Sequence, residues 1–152
     1  MLDPDGKNMT FEMSRVLQLS NITEWVKGLK IDTVNNLIIA WDQECICFYQ
    51  LRDFIDTKQG TLLRRFTELS NKENFINDMI VMNDYKGFIT GTQFGNLNVW
   101  KWGSEEKKLV HQFSGHHKTI TAVVPHCTKK NLFITSSLDC TIKVWCMDVS
   151  RR

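Results

Sequence analysis

The chain has 152 residues, of which 42% are hydrophobic and 24% are charged, and its formal net charge is +2. This length fits one domain or a piece of one, with the composition of an ordinary globular protein. The sequence has no block of like charge that indicates binding to nucleic acid or to a membrane, and no apolar run near the roughly 20 residues of a membrane-spanning helix.

Alternating apolar and polar residues, interrupted by polar turns, predict β-strands along nearly the whole chain. Residues 1–14 are expected to form an N-terminal tail, and residues 52–60 (RDFIDTKQG) a polar loop. In chain order, strands are predicted at 15–20, 21–32, two within 37–49, 61–67, 75–82, 87–92, 97–102, 108–113, 119–125, 132–137 and 141–147. The sequence therefore predicts an all-β fold.

One segment of the chain occurs twice. Residues 88–100 read FITGTQFGNLNVW and residues 133–145 read FITSSLDCTIKVW, so that Phe, Ile, Thr, Val and Trp recur at an offset of 45 residues. A weaker third copy at 37–49 begins 51 residues before the first of these, and the additional residues fall in the polar loop. A period of about 40–45 residues that ends in an apolar strand with Trp is typical of the blades of a β-propeller.

The segment 10–30 has a second interpretation. Several of its apolar residues lie loosely at helical spacing, namely Phe11, Val16, Leu19, Ile22 and Val26. Periodicity alone supports a helix and strands equally. The alignment of this segment with the later copies favours strands.

Residues 115–146 resemble one repeat of the WD-repeat family of β-propellers. Gly115-His116 stand where the family's repeat opens, and the segments ITAVV, FITSSLD and TIKVW follow. The family's closing Trp-Asp pair is altered, because Cys146 follows Trp145. The resemblance implies a partial, open WD-repeat β-propeller of three four-stranded antiparallel blades, at about 15–60, 61–107 and 108–152.

The resemblance also implies a structural tetrad formed by His116, Thr135, Asp139 and Trp145. The indole N–H of Trp145 is a pure donor that the Thr135 hydroxyl can accept, and Asp139 would set the tautomer of His116. A buried network of this kind is tolerated only when its groups are satisfied, so it would hold three strands and a loop in one register. The alternative is that the four residues are unrelated surface positions.

The other two copies keep only parts of this tetrad. The second copy has Thr90 and Trp100, with Phe94 in the Asp position and Asn71 near the His position. In the first copy, the corresponding positions hold Ile39, Gln43 and Tyr49.

The resemblance implies a surface for protein or peptide partners at the end of the sheets that carries the tight turns and the links before the inner strands. The candidate contact residues are Asn71, Lys72, Gln93, Phe94, His117, Lys118 and Leu138. An exposed aromatic such as Phe94 would suit a partner as an anchor. Local packing of Phe94 is an equally open interpretation.

The sequence shows no catalytic constellation. None of its four histidines has a partner at metal-ligand spacing, and it contains no Gly-rich phosphate loop and no GxSxG motif. Cys45 and Cys47 share one face of a strand and are expected to be small buried residues. We therefore expect no enzymatic activity, no metal and no cofactor, and the cysteine pattern, together with the absence of an export signal, predicts a cytoplasmic protein.

One weak motif precedes the predicted strands. Four residues fit positions of a calcium-binding EF-hand loop, namely Asp3, Asp5, Gly6 and Glu12, but Met1 stands at its first position. No working calcium site is expected, and the motif is either an ordinary turn or an EF-hand remnant. Some WD-repeat proteins of cilia carry EF-hands before their blades, so a remnant would point to the cilium or the cytoskeleton.

The sequence as a whole predicts a non-enzymatic scaffold for protein–protein interaction. Three blades are too few to close a ring, since known propellers have roughly 4–8, and the ends of an open arc expose apolar surface. We therefore expect a fragment or splice form of a larger WD-repeat protein, a chain that pairs with a second copy to complete a ring, or a cap on a larger partner. The alternative is that the chain is a truncated product that has no stable fold and no function of its own.

Overall fold

The computed structural model describes residues 16, 19, 22, 25–43, 45–56, 60–67, 75–101 and 108–147. The strands in these ranges are β1 (Gly28–Asp32), β2 (Leu37–Trp41), β3 (Cys45–Gln50), β4 (Leu62–Thr67), β5 (Ile76–Met82), β6 (Gly87–Thr92), β7 (Asn96–Lys101), β8 (Lys108–Ser114), β9 (Ile120–Pro125), β10 (Leu132–Ser137) and β11 (Ile142–Cys146). A short helix α1 (Leu51–Asp56) follows β3, and a 3-10 turn (Asn83–Tyr85) follows β5. No helix among the described residues is long and apolar enough to cross a membrane.

The strands form three antiparallel sheets, which confirms the all-β, open-propeller prediction. The first sheet has the order β1-β2-β3-β4, the second β5-β6-β7-β8 and the third β9-β10-β11. Each strand in a sheet pairs with the strand that precedes or follows it in the chain. Within the described residues the third sheet therefore has three strands, where four were expected.

The sheets are shifted by one strand from the sequence repeat. Of the expected blades 15–60, 61–107 and 108–152, the second and the third each begin with a strand, β4 or β8, that the structure places in the preceding sheet. Register explains the shift, because β4 pairs with β3 through Tyr49↔Leu62 and β8 pairs with β7 through Trp100↔Leu109. β4 and β8 each pair with the free edge of the preceding hairpin, and the strand that follows each of them, β5 or β9, is the first strand of a new sheet.

Most predicted strands agree with the structure within one or two residues, but the N-terminal third differs. Helix α1 covers the first part of the predicted loop 52–60. Among the described residues of the predicted strand 21–32, those of β1 alone form a strand. The described residues of 10–30 contain no helix, which removes the helical alternative for them. Residues 1–14, with the EF-hand-like Asp3, Asp5, Gly6 and Glu12, lie outside the described residues.

The core consists of apolar side chains between successive sheets. One cluster joins the first and second sheets and contains Ile39, Trp41, Ile46, Phe48, Phe66, Ile76, Met79, Phe88 and Trp100. A second cluster joins the second and third sheets and contains Ile80, Met82, Ile89, Leu97, Ile120, Val123 and Phe133. Burial of each such large side chain contributes about 1.5–3 kcal/mol to stability, so these two layers hold the sheets against each other.

The two best copies of the repeat have the same local structure. Phe88 pairs with Trp100 across β6 and β7, and Phe133 pairs with Trp145 across β10 and β11. The rings stack in both pairs, with centroid distances of 5.9 and 6.2 Å and interplanar angles of 14° and 17°. The offset of 45 residues is thus a structural repeat.

The first copy corrects one expected position. Ile38 pairs with Tyr49 as Phe88 pairs with Trp100, so that Ala40, not Ile39, takes the place of Thr90. Ile39 lies on the opposite face, in the cluster between the first two sheets. The reason is the length of the turn: four residues separate the last pair of β2 and β3, Trp41↔Ile46, and five separate the last pair of β6 and β7, Gly91↔Leu97.

One polar contact connects the inner strands of all three sheets. The Lys30 ammonium lies 2.8 Å from the Asp78 carboxylate and donates to the carbonyl of Val123 at 3.0 Å. Asp78 in turn accepts the Val123 N–H at 2.7 Å. Because Asp78 is largely buried, this pairing with a cation and a backbone donor offsets the cost of removing its charge from water.

Replacing Lys30 by Met removes the countercharge of Asp78 and keeps a side chain of similar length. We expect Lys30→Met to lower the free energy of unfolding by about 1–3 kcal/mol, because Asp78 stays partly buried without its cation. Urea denaturation measures this loss. The matched control is Lys129→Met, at an exposed lysine in the turn before β10, and an equal loss in both variants would contradict the role of the contact.

Candidate functional site

The structure brings the four residues of the expected tetrad together at one end of the third sheet. The Trp145 indole donates to the Thr135 hydroxyl at 2.8 Å, and Thr135 Oγ1 lies 2.7 Å from Nε2 of His116. Nδ1 of His116 lies 2.9 Å from the Asp139 carboxylate. A carboxylate only accepts, so Nδ1–H of His116 donates to Asp139. The Thr135 hydroxyl, which accepts from Trp145, forms the second hydrogen bond of the imidazole ring at Nε2.

The central residues of this hydrogen-bonded chain are buried, so the loss of one hydrogen bond would leave a polar atom without a partner. His116 and Thr135 are only 2% and 1% exposed, so their polar atoms depend on each other and not on water. Trp145 is half-buried, stacks on Phe133 and contacts the ring of Phe113 at a centroid distance of 5.2 Å. The network thus ties the link that carries His116 to β10 and β11.

The turn between β10 and β11 holds the acidic member in place. Asp139 Oδ1 accepts the N–H of Thr141 at 3.0 Å and the Thr141 hydroxyl at 2.6 Å, and Oδ2 accepts the N–H of His117 at 3.0 Å. The hydrogen bond from the Thr141 hydroxyl, followed by those from His117 and His116, holds the pKa of Asp139 well below its ordinary value. Sequence reasoning missed Thr141, whose signal was a hydroxyl two residues after a turn aspartate.

The second sheet keeps half of the network. The Trp100 indole donates to the hydroxyl of the fully buried Thr90 at 3.0 Å, as Trp145 donates to Thr135. Phe94, in the position of Asp139, is 56% exposed at the turn between β6 and β7. Asn71, expected near the His position, lies outside the described residues.

Backbone contacts join the exposed turns into one surface. The carbonyl of Gly95 accepts the N–H groups of Gly115 and His116, both at 2.9 Å, and the Leu138 N–H donates to the carbonyl of Thr119 at 2.9 Å. Gly95 has φ 79°, and a Cβ there would lie 2.2 Å from the His116 carbonyl oxygen, so only glycine fits. The two turns and the link between them are therefore held in fixed positions.

This turn-end surface comprises five of the seven expected contact residues, all exposed: Gln93, Phe94, His117, Lys118 and Leu138. The other two, Asn71 and Lys72, lie outside the described residues. Phe94 and Leu138 place large apolar side chains, 56% and 57% exposed, on the same end of neighbouring sheets as the Lys118 ammonium group. The arrangement suits contact with another macromolecule better than chemistry on a small substrate.

The described residues show no set of groups for metal binding, and two of the cysteines are buried. No group of three or more His, Cys, Asp or Glu side chains among them is placed to hold a metal ion. Cys45 and Cys47 are buried, as expected, with their sulfur atoms 3.8 Å apart. Burial raises the pKa of the Cys45 thiol to about 12, so it stays protonated and unreactive.

Comparison with known proteins identifies relatives of the chain. A family model described as "WD domain, G-beta repeat" matches residues 107–146. The WD repeat domain-containing protein 83 homolog of Dictyostelium discoideum is 31% identical over 115 residues, which cover 74% of this chain and 34% of that protein. The ribosome biogenesis protein WDR12 homolog of Trichoplax adhaerens is 31% identical over 72 residues, 46% of this chain and 16% of that protein.

A solved structure shares the fold. One chain of the "Crystal Structure of Mitotic Checkpoint Complex" superposes with a TM-score of 0.67 at 16% identity, over 85% of this chain and 38% of that one. The chain thus spans about a third or less of the length of the two curated relatives.

Replacing Thr135 by Val keeps the shape of the side chain and removes the central hydroxyl of the tetrad. We expect Thr135→Val to lower the free energy of unfolding by about 2–4 kcal/mol, because the Trp145 N–H and His116 Nε2 both lose their partner. Chemical denaturation checks this value. Thr121→Val, which removes an exposed hydroxyl on β9 that pairs with Ser136, is the control, and a similar loss from both changes would refute the tetrad's contribution.

The lowered pKa of Asp139 predicts a pH dependence of stability. A carboxyl group whose pKa is lower in the folded state contributes stability above its unfolded pKa, ordinarily 3.8, and this stability is lost as the pH falls towards the folded value. We expect stability to fall below about pH 5, and to fall less steeply in Asp139→Asn. Thermal unfolding between pH 7 and pH 3 measures both slopes. The exposed Asp84→Asn is the control, and identical slopes in wild type and Asp139→Asn would contradict the prediction.

Proposed function

Because the chain belongs to the WD-repeat family, we propose that it is a non-enzymatic scaffold that binds protein partners through the turn-end surface. The observation that carries this proposal is the fixed placement of Phe94 and Leu138, two exposed apolar side chains, on turns held by the tetrad and by Gly95. An anchor residue on a rigid turn loses little conformational entropy on binding, so more of the free energy gained by burying its side chain appears as affinity.

The chemistry of the surface favours peptide capture. Phe94 and Leu138 offer apolar contact, and Lys118 adds a positive charge beside them. Such a surface accepts a short motif with an apolar side chain and a polar flank, which is a common mode of peptide recognition. One curated relative is named for ribosome biogenesis and the structural neighbour for a checkpoint complex. These names support the proposal that the chain acts within a protein assembly.

The remaining expectations about function stay predictions. A cytoplasmic location is supported by five free cysteines in the structure. A cilium or cytoskeletal location depends on the EF-hand-like residues Asp3, Asp5, Gly6 and Glu12. Completion of a ring by a second copy is a further prediction.

Simultaneous replacement of Phe94 and His117 by Ala tests the proposed surface. We expect proteins that co-purify with the wild-type chain to be reduced at least tenfold with Phe94→Ala/His117→Ala, because loss of a hot-spot anchor costs about 2 kcal/mol or more and about 1.4 kcal/mol corresponds to a tenfold change. Quantitative mass spectrometry of affinity-purified complexes measures the change, with unchanged thermal unfolding as the check on folding.

The matched control replaces one apolar and one basic residue by Ala at the opposite end of the sheets. Val34→Ala/Lys129→Ala alters two exposed residues there and should retain the bound proteins. If both double variants retain the same proteins, the turn-end surface is not the binding site.

A further inference from the structure

We infer that the free edge of β11 receives a strand from a second copy of the chain, namely the N-terminal segment that carries Val16 and Leu19. Among the described residues the third sheet has three strands, whereas the first and second sheets have four. The contact is separate from the turn-end surface. It gives the predicted pairing of two copies a defined site on each copy.

The backbone of β11 has unpaired hydrogen-bonding groups along its outer edge. The N–H of Met147 donates to the carbonyl of Asn131, beside β10, at 2.8 Å. Backbone groups in a strand point alternately to its two sides, so those of Ile142, Val144 and Cys146 point away from β10. No strand lies on that side in the described part of the chain. Such an edge is a template for pairing with another strand.

The chain itself shows which sequence fits an edge of this kind. β4 and β8 pair with the equivalent edges of the first and second sheets, and they read LLRRFT at 62–67 and LVHQFS at 109–114. The N-terminal segment 15–20 reads RVLQLS, and the three segments follow one another at a single offset of 47 residues. A fixed offset marks equivalent positions of a repeat. Segment 15–20 is therefore a third copy of the sequence that forms β4 and β8.

Val16 is placed like its counterparts in β4 and β8. The pairing of these two strands is irregular at the same position of the repeat, where Leu63 and Val110 are additional residues. An additional residue of this kind bends a strand and is left unpaired. Both side chains are exposed, and so is the side chain of Val16.

Leu19 takes the position of an aromatic residue that contacts the next sheet. The ring of Phe66 in β4 contacts Phe88 of the second sheet at a centroid distance of 5.2 Å, and Phe113 in β8 contacts Trp145 of the third sheet at the same distance. Leu19 packs in the same way against the outer face of the first sheet. The buried residues of that face are Ile38, Ala40, Cys45, Cys47 and Tyr49. The sheet that the N-terminal segment completes should therefore stack on the first sheet.

The third sheet of the same chain cannot be that sheet. The first and third sheets pack on opposite faces of the second sheet. The outer face of the first sheet and the far face of the third sheet therefore point away from each other. A third sheet that stacks on the first sheet has to come from a second copy.

The two faces that meet in this arrangement are apolar. On the first sheet, Leu29 and Ile31 of β1 lie on the outer face, because they pair with residues of its buried cluster, and both are more than half exposed. On the third sheet, Val124, Ile134 and Val144 lie side by side across β9, β10 and β11. Stacking of the two faces removes this apolar surface from water.

Two copies are enough to close the arrangement. Each copy offers one segment and one edge, so the contact runs head to tail, and such a contact forms a ring when its rotation closes. Two arcs of three sheets give a ring of six, within the range of roughly 4–8 blades that propellers have. The associated form is therefore a closed pair.

Replacement of Val144 by Pro tests the edge, because it removes an N–H that points away from β10 and leaves the pairing of β10 with β11 intact. In analytical ultracentrifugation the wild type should have twice the mass of one chain. Val144→Pro should raise the dissociation constant of the pair by about tenfold or more, since it removes a hydrogen bond and obstructs the added strand.

The matched control is Gln112→Pro, at an exposed position on the edge strand β8 where no partner is proposed. It should associate like the wild type. If thermal unfolding shows that Val144→Pro is destabilised, Ile142→Lys/Val144→Lys should show the same loss of association, because both side chains are exposed in the single chain. Leu63→Lys/Val110→Lys, also at exposed aliphatic residues, is the control for that variant.

A mixing experiment distinguishes pairing between copies from a local effect of each replacement. Leu19→Asp should also associate weakly, because it introduces a charge into the apolar contact. An equal mixture of Leu19→Asp and Val144→Pro should contain mixed pairs, since the intact segment of the Val144→Pro chain meets the intact edge of the Leu19→Asp chain. Native mass spectrometry with one variant isotopically labelled detects these pairs.

Four results would overturn the inference. These are a wild-type chain that stays monomeric at all concentrations, open filaments in place of a closed pair, equal association of Val144→Pro and Gln112→Pro, and a mixture without mixed pairs. Phe94→Ala/His117→Ala should associate like the wild type. Failure of this inference therefore leaves the proposal for the turn-end surface standing.

Discussion

The structure of the third sheet depends on one constraint: the polar atoms of His116 and Thr135 are buried and must find partners inside the protein. They find them in each other, in the Trp145 indole and in the Asp139 carboxylate. A shift of β11 by one residue would turn the Trp145 indole to the other face and leave the Thr135 hydroxyl without its donor. The network thus selects one register and fixes the link before β9, which in turn positions the exposed turns.

Packing between sheets supplies most of the stabilisation, and polar contacts specify how the sheets meet. Each sheet places one apolar face on the next, and the two clusters lie on opposite faces of the second sheet. The contact of Lys30 with Asp78 and Val123 adds a polar connection across the inner strands of all three sheets. On the far face of the third sheet, Ile142 and Val144 are 75% and 63% exposed, as expected for an open arc.

Sequence reasoning predicted what is periodic and missed what depends on contacts between distant segments. The pairs Phe88–Trp100 and Phe133–Trp145 recur at one offset, so their equivalence was visible in the sequence. The Lys30–Asp78 pair was not, because its residues lie on strands of different sheets and no spacing marks them.

The errors in the candidate site have equally local causes. A turn one residue shorter placed Ala40 where Ile39 was expected, since a shift of one residue moves a side chain to the other face of a strand. The irregular pairing at Leu63 and the left-handed conformation of Lys86 could not be predicted either, because neither leaves a mark in the spacing of the sequence. Family resemblance identified His116 and Asp139, but the contribution of Thr141 depends on the geometry of one turn.

Hydrogen exchange of the tryptophan indole groups, measured by NMR, tests the central claim most directly. The account predicts that the Trp145 N–H exchanges only when the whole domain unfolds, because its bond to Thr135 is part of the network that holds the sheet. The Trp25 side chain is 63% exposed and provides the fast-exchanging reference. Exchange of Trp145 at a rate close to that of Trp25 would contradict the account.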